Sequence, residues 1–175
     1  MAVPKTLAPL ILLSMAGFGC GSSTSLPAAS TPTSSAAPAP PPATPQCDPT
    51  LWSHVYDPTR LHVSNSCQTV TGVIVNEHGS DDGDIDMQLT LDPPFTNLLN
   101  KGNIANLGGN LNVEAICQAP IHPDIPAAFG ACGDFKGSTF IPPVGAHVQV
   151  TGSYVLDTNH GWMEIHPASV ISILR

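Results

Sequence analysis

The chain has 175 residues and a formal net charge of −8, with five lysines and arginines against thirteen aspartates and glutamates. Nucleic-acid binding depends on basic side chains that neutralise phosphate, so this balance argues against a nucleic-acid partner.

The N-terminus is typical of a secretory signal peptide. Lys5 precedes an uncharged apolar stretch from Leu7 to Phe18, and small residues lead to Cys20. The stretch is too short for a stable membrane-spanning helix. The sequence predicts a signal peptide over residues 1–19 and a lipidated Cys20 that anchors the mature protein in a membrane. Ordinary secretion, with Cys20 removed, is the alternative.

Residues 20–46 form a segment rich in proline, alanine and serine that carries no charge. Such a composition cannot bury enough apolar surface to offset the chain entropy lost on folding. We therefore expect a disordered tether over residues 20–46 and one folded domain over residues 47–175.

Four cysteines remain after Cys20, and an even number in an exported domain indicates two disulfides. Four cysteines allow three pairings. The pairing Cys47–Cys67 with Cys117–Cys132 is favoured because each bond closes a short loop. No CxxC pair is present, which argues against a zinc ribbon or a thioredoxin-like redox site.

Alternating and β-branched patterns predict an all-β domain with five strands. The strands are expected over residues 67–77, 84–92, 111–117, 147–156 and 161–173. A short helix is expected within residues 94–108 and a helical turn near Ala127. Gly72 and Gly152 lie inside strands, as at the bends of a small barrel, and Pro167 should force an edge position or a bend. A five-stranded OB-like barrel with long loops is the favoured fold, with a β-sandwich as the alternative.

Three stretches, "CQTVTGVIV", "DDGDID" and "VGAHVQVTGSYVLDTNHGWMEIHP", resemble an uncharacterised family of bacterial exported domains marked by the phrase HGWxEIHP. The resemblance covers most of residues 47–173. It implies an OB-like fold and a place at the bacterial envelope, and it implies no activity. Members of the family often have a histidine where this chain has Asp86, so a site that uses this position would be altered here.

The loops "HGSDDGD" and "DTNHG" join strands one to two and four to five, and such loops flank the usual ligand face of an OB barrel. The candidate site residues are Asp84, Asp86, Glu114, His160, Trp162, Glu164 and His166. Strand alternation places Trp162, Glu164 and His166 on one face. Glu164 and His166 are suited to share a divalent metal ion. A structural role, in which both side chains bond to backbone groups, is favoured. "DDGD" is equally explained as a hairpin turn, and its spacing excludes an EF-hand.

Motifs of the common hydrolases, metalloproteases and nucleotide-binding enzymes are missing from the sequence. The sequence therefore favours a membrane-anchored lipoprotein of the envelope that acts as a binding or structural module, with its ligand unspecified and no cofactor predicted. The alternative is a metal-dependent hydrolase of the cell envelope or the extracellular space.

Overall fold

The structure is a computed structural model that describes residues 46–175, so the expected signal peptide, Cys20 and almost all of the expected tether lie outside the described residues. The strands are β1 (Leu61–Gly79), β2 (Ile85–Leu91), β3 (Leu111–Ala115), β4 (His147–Asp157) and β5 (Trp162–Ile173). The helices are α1 (Lys101–Asn106), α2 (Pro126–Cys132) and the 3-10 helices Pro49–His54, Pro58–Arg60 and Pro93–Leu98. None of the helices between residues 46 and 175 is long and apolar enough to cross a membrane.

The five strands form one sheet in the order β1-β2-β3-β5-β4, and β4 pairs with β1, so the sheet closes on itself. All neighbours are antiparallel except β3 and β5. The prediction of a five-stranded all-β domain is confirmed. Strand β1 begins six residues earlier than expected, because Leu61 and its neighbours pair with the end of β4.

The sequence predicts an edge position or a bend at Pro167. β5 lies between β3 and β4, but its pairing with β3 covers only Glu164 and Ile165, so Pro167 lies beyond that pairing. The second expectation, a bend, agrees with the structure. The pairing of β4 with β5 runs from Gly152 opposite Ala168 to Tyr154 opposite Ile165, and Pro167 lies in the resulting irregularity. Proline lacks the amide hydrogen that a regular ladder would need there.

The main apolar core is made by one face of all five strands. Its buried members include Val70, Ile74, Met87, Leu89, Leu91, Leu111, Val113, Val148, Val150, Ile165 and Ile171. On β2 the core residues are the odd-numbered ones, as the alternation predicted. The even-numbered residues of β2, β3 and the first half of β5 therefore lie on the opposite, outer face.

A second, smaller apolar cluster covers part of that outer face. It contains Val55, Leu61, Ile116, Cys117, Cys132 and Val155. The disulfides Cys47–Cys67 and Cys117–Cys132 are both present, in the favoured pairing. The chain segments that carry this second cluster cover the sheet. Polar side chains on its outer face are therefore buried rather than exposed.

Candidate functional site

Neighbouring strands bring a group of acidic side chains and one histidine together on the outer face. Asp86 of β2 lies opposite Glu114 of β3. In the next strand along the sheet, Glu164 of β5 lies beside Asn112 of β3, and His166 follows Glu164 two residues later. Asp84 immediately precedes β2. All five ionisable residues are buried except Asp86, which is half-buried. We call Asp84, Asp86, Glu114, Glu164 and His166 the buried cluster.

His166 is at the centre of the buried cluster and is fully buried. Its Nδ1 atom lies 2.7 Å from Glu114 Oε2 and 3.1 Å from Glu164 Oε1. Ionised carboxylates only accept hydrogen bonds, so we assign a proton to Nδ1. The other ring nitrogen, Nε2, lies 3.8 Å from Asp84 Oδ2, beyond hydrogen-bonding distance. Nε2 has no hydrogen-bond partner among residues 46–175.

The two aspartates of the buried cluster each leave one oxygen free. Asp84 Oδ1 accepts a 2.8 Å hydrogen bond from the backbone N–H of Cys117. Asp84 Oδ2 and Asp86 Oδ1 are buried and, within the described part of the chain, accept no hydrogen bond. The other oxygen of Asp86 lies 3.5 Å from His78 Nε2. The cluster therefore contains three buried polar atoms without a partner, one on each aspartate and one on His166.

The two glutamates are held by side-chain donors. Trp162 Nε1 donates to Glu164 Oε2 at 3.0 Å. Asn112 Nδ2 donates to Glu114 Oε1 at 2.9 Å and lies 3.4 Å from Glu164 Oε2. Since both glutamates also contact the same imidazole nitrogen, they fix the plane and the tautomer of His166.

The start of β5 is fastened to the fully buried side chain of Asn103 in α1. Asn103 Oδ1 accepts from the backbone N–H of Met163, and Asn103 Nδ2 donates to the Met163 carbonyl. α1 begins with a capping box between Asn100 and Asn103. This helix start thus positions the strand that carries Glu164 and His166.

The β4–β5 turn is organised by Asp157, which is fully buried. Its carboxylate accepts from the backbone N–H groups of Asn159 and His160, from His160 Nδ1 at 2.9 Å and from Arg60 Nε at 3.0 Å. The His160 ring stacks on Trp162 with 4.4 Å between ring centroids. Although burial acts to raise the pKa of Asp157, the His160 amide and the Arg60 charge hold it below its ordinary value.

Burial changes the protonation of three carboxyl groups in the buried cluster. It raises the pKa of Asp84 to about 7, helped by the charge of Asp82 and opposed by His166. It raises the pKa of Asp86 to about 6 and that of Glu114 to about 8. Near neutral pH the groups do not all carry charge, because Arg60 and His166 are too few to balance them.

The pKa shifts of the remaining pair follow from their contacts. Burial acts to lower the pKa of His166, but the adjacent Glu114 and Glu164 raise it well above its ordinary value. Burial acts to raise the pKa of Glu164, but the hydrogen bond and charge of His166 hold it below its ordinary value. In the absence of a metal ion, His166 is therefore an imidazolium paired with Glu164, and Glu114 is partly protonated.

An open cleft of about 420 Å³ lies against the buried cluster. Its lining comes from the β1–β2 turn, the β4–β5 turn and the segment before β1, and includes Asp57, Arg60, Asp81, Asp82, Asp86, Glu114 and His160. Glu114 and Asp86 belong to both the lining and the cluster. The two loops that the sequence placed beside a ligand face thus meet at one cleft.

Six of the seven candidate residues lie in or against the buried cluster, and His160 lies at the cleft rim, joined to the cluster through Trp162. Sequence reasoning missed Arg60, Asn112 and Asp157. Asp157 opens the "DTNHGWMEIHP" phrase, and Asn112 lies two residues before Glu114, so strand alternation carried a signal for both. Arg60 reaches the site from outside the sheet, and the sequence carried no signal of this contact.

No family model, curated protein or solved structure matches the chain.

Proposed function

We propose that the chain is an exported binding module, tethered to the bacterial envelope through Cys20, and that it binds a positively charged ligand in the cleft. The closed five-stranded sheet supports an OB-like barrel, in which ligands meet the loops that line this cleft. The resemblance to envelope domains and the two disulfides agree with export.

The charge of the cleft is the observation that carries the choice of ligand. Five carboxyl groups line it, namely Asp57, Asp81, Asp82, Asp86 and Glu114, and of these the buried Glu114 is partly protonated. The arginine in the lining, Arg60, is already hydrogen-bonded to Asp157. A concave surface lined by one sign of charge concentrates ligands of the opposite sign.

Ligand binding in the cleft is tested with a polyamine as the probe. Spermidine should raise the melting temperature of the purified protein, whereas citrate should not, because it carries negative charge. The double variant Asp57→Asn/Asp81→Asn should lose the response, since both residues are exposed at the cleft rim. Asp124→Asn/Asp134→Asn removes the same charge outside the cleft and should keep it. Equal spermidine responses in the two double variants would show that binding is not at the cleft.

The His160–Asp157 contact favours a second candidate, the metal-dependent hydrolase. Asp157 holds Nδ1 of His160, and half of the His160 side chain is exposed beside the cleft. This arrangement leaves Nε2 free to act as a general base. A hydrolase should cleave p-nitrophenyl acetate in the presence of zinc, and His160→Gln should abolish the rate while leaving spermidine binding intact. An undetectable wild-type rate would rule out this ester chemistry.

A further inference from the structure

We infer that the buried cluster is a site for a divalent transition-metal ion, bound by His166 Nε2 and Asp84 Oδ2. The inference goes beyond the proposed function, because its two central ligands are not part of the cleft lining. Glu114 and Glu164 act as positioning residues that hold the imidazole.

The unpartnered atoms are the first observation. His166 Nε2 and Asp84 Oδ2 are both buried, face each other at 3.8 Å and have no hydrogen-bond partner in the described range 46–175. Two ligand atoms that each lie about 2.1 Å from a zinc ion are separated by about 3.4 to 3.8 Å at the angles of a distorted tetrahedron. The observed separation therefore suits two atoms that share a metal ion better than two that share a hydrogen bond.

The orientation of the imidazole is the second observation. Nδ1 faces Glu114 and Glu164, so the proton is on that side of the ring and the lone pair of the neutral ring is on Nε2. Histidines that bind metals through one nitrogen commonly donate the other N–H to a carboxylate. The aspartate is fixed in the same way, because Asp84 Oδ1 accepts from the Cys117 amide while Oδ2 stays free.

The third observation is the balance of charge. Four carboxyl groups of the buried cluster are accompanied by Arg60, which lies 3.9 Å from Glu114 and shares its charge with Asp157. Buried carboxyl groups are paired, bound to a metal ion or kept neutral by a proton. One ligand oxygen or nitrogen each from Asp84, Glu114 and His166 lie within 4.8 Å of one another, close enough for a cation to replace the missing positive charge.

The ligand chemistry selects the class of metal. One imidazole with carboxylates suits zinc or a similar transition metal, whereas magnesium and calcium prefer oxygen alone. Asp86 and Glu114 belong to both the buried cluster and the cleft lining, so a metal ion at this site would lie close to the cleft.

The test is zinc binding to the full chain after treatment with chelator, followed by calorimetry and thermal melting. Wild type should bind one zinc ion and melt at a higher temperature with zinc than with chelator, and magnesium should have no such effect. Asp84→Asn keeps the acceptor for the Cys117 amide but replaces the free oxygen with an amide group, and it should weaken zinc binding about a hundredfold or more. His147→Ala, which alters a half-exposed histidine paired with Asp92 at 2.9 Å, should bind zinc like wild type.

The imidazole nitrogen signals of the wild-type protein give a second readout that does not depend on how a variant folds. Zinc should shift Nε2 of one buried histidine, while its Nδ1 stays protonated. A wild type that binds no zinc, an Asp84→Asn variant that binds it as tightly as His147→Ala, or a zinc titration that moves only exposed histidines would each overturn the inference. In that case His166 is a structural imidazolium.

Discussion

Arg60 links the buried cluster to the β4–β5 turn. Its guanidinium binds Asp157 in the β4–β5 turn and approaches Glu114 in the buried cluster. It also donates to the Tyr56 carbonyl, which ties the segment before β1 to the sheet. Only a tenth of its side chain is exposed, so water screens these contacts little.

Arg60→Ala should lower the free energy of unfolding by about 3 kcal/mol, because removing one partner of a buried ion pair leaves the other charge unpaired. Asp157 keeps the hydrogen bonds that it accepts from the β4–β5 turn. The loss of free energy should therefore lie near the lower end of the range for such pairs. Urea denaturation measures it. Lys101→Ala, an exposed change of the same charge, should stay within about 0.5 kcal/mol of wild type. Equal losses in the two variants would show that Arg60 contributes no specific pairing.

The raised pKa values of carboxyl groups in the buried cluster predict that, in the presence of chelator, the protein becomes less stable as the pH rises. The folded-state pKa values of Asp84 and Glu114, about 7 and about 8, lie above their ordinary values of 3.8 and 4.5. Between about pH 4 and pH 8 the folded state therefore holds more protons than the unfolded state, so the free energy of unfolding falls as the pH rises. The raised pKa of His166 acts in the same direction, because its stabilisation is lost as the pH rises through the folded value.

Melts of the chelator-treated protein from pH 4.5 to pH 8.5 measure this dependence. The lowered pKa values of Glu164 and Asp157 remove stability only as the pH falls below about 5, at the acid edge of this window. The melting temperature should be highest near the acid end. Glu114→Gln should make the decline shallower, since Glu114 has a higher pKa than Asp84 and Asp86. A melting temperature that rises steadily from pH 5 to pH 8 would contradict the shifts.

At the scale of elements, the irregular pairing of β4 with β5 requires the two backbones to approach each other closely. A Cβ atom added at Gly152 would lie 2.4 Å from the Pro167 carbonyl oxygen and 2.5 Å from Ile165 Cγ2. Residue 152 must therefore be glycine, because the irregular part of β5 packs directly against it. This contact fixes the part of β5 that immediately follows His166.

Gly152→Ala should lower the free energy of unfolding by about 2 kcal/mol or more, because the backbone atoms of β5 must move to admit the methyl group. Gly130→Ala is the matched control. Gly130 lies in α2, where an added Cβ meets nothing within 4 Å, so alanine should raise stability by about 0.5 to 1 kcal/mol. Chemical denaturation of both variants measures the contrast, and a neutral Gly152→Ala would mean that the β4–β5 irregularity relaxes freely.

The strands were predictable because alternation is a local property of the chain. The faces of β2 and the common face of Trp162, Glu164 and His166 follow from spacing alone. The interior place of β5 was not predictable, since it depends on a parallel pairing with β3, which is distant in sequence. The burial of the outer face was also not predictable, because it depends on segments around Val55 and Cys117 that fold over the sheet.

At the scale of the whole molecule, the disulfides hold the covering segments against the sheet. Cys117–Cys132 ties the end of β3 to α2 within the outer apolar cluster. The backbone N–H of Cys117 is also the donor that fixes Asp84. Cys47–Cys67 ties the beginning of the described chain to β1.

The double variants Cys117→Ala/Cys132→Ala and Cys47→Ala/Cys67→Ala should each lose about 3 kcal/mol of stability, since the bridges close loops of similar length. Only the first should also weaken zinc binding, because it loosens the segment that orients Asp84. Calorimetry on both variants separates the effects. Four alkylatable thiols in the unreduced wild type, counted by intact-mass spectrometry, would instead show that the bridges do not form.

X-ray absorption at the zinc edge of the wild-type protein, loaded with one equivalent of zinc, tests the central claim most directly. A metal ion bound by His166 and Asp84 predicts a first shell of nitrogen and oxygen at about 2.0 to 2.1 Å, with the outer-shell scattering of a single imidazole ring. A spectrum with sulfur ligands, with two or more imidazoles or with none would contradict the account, because the buried cluster contains one histidine and no free thiol.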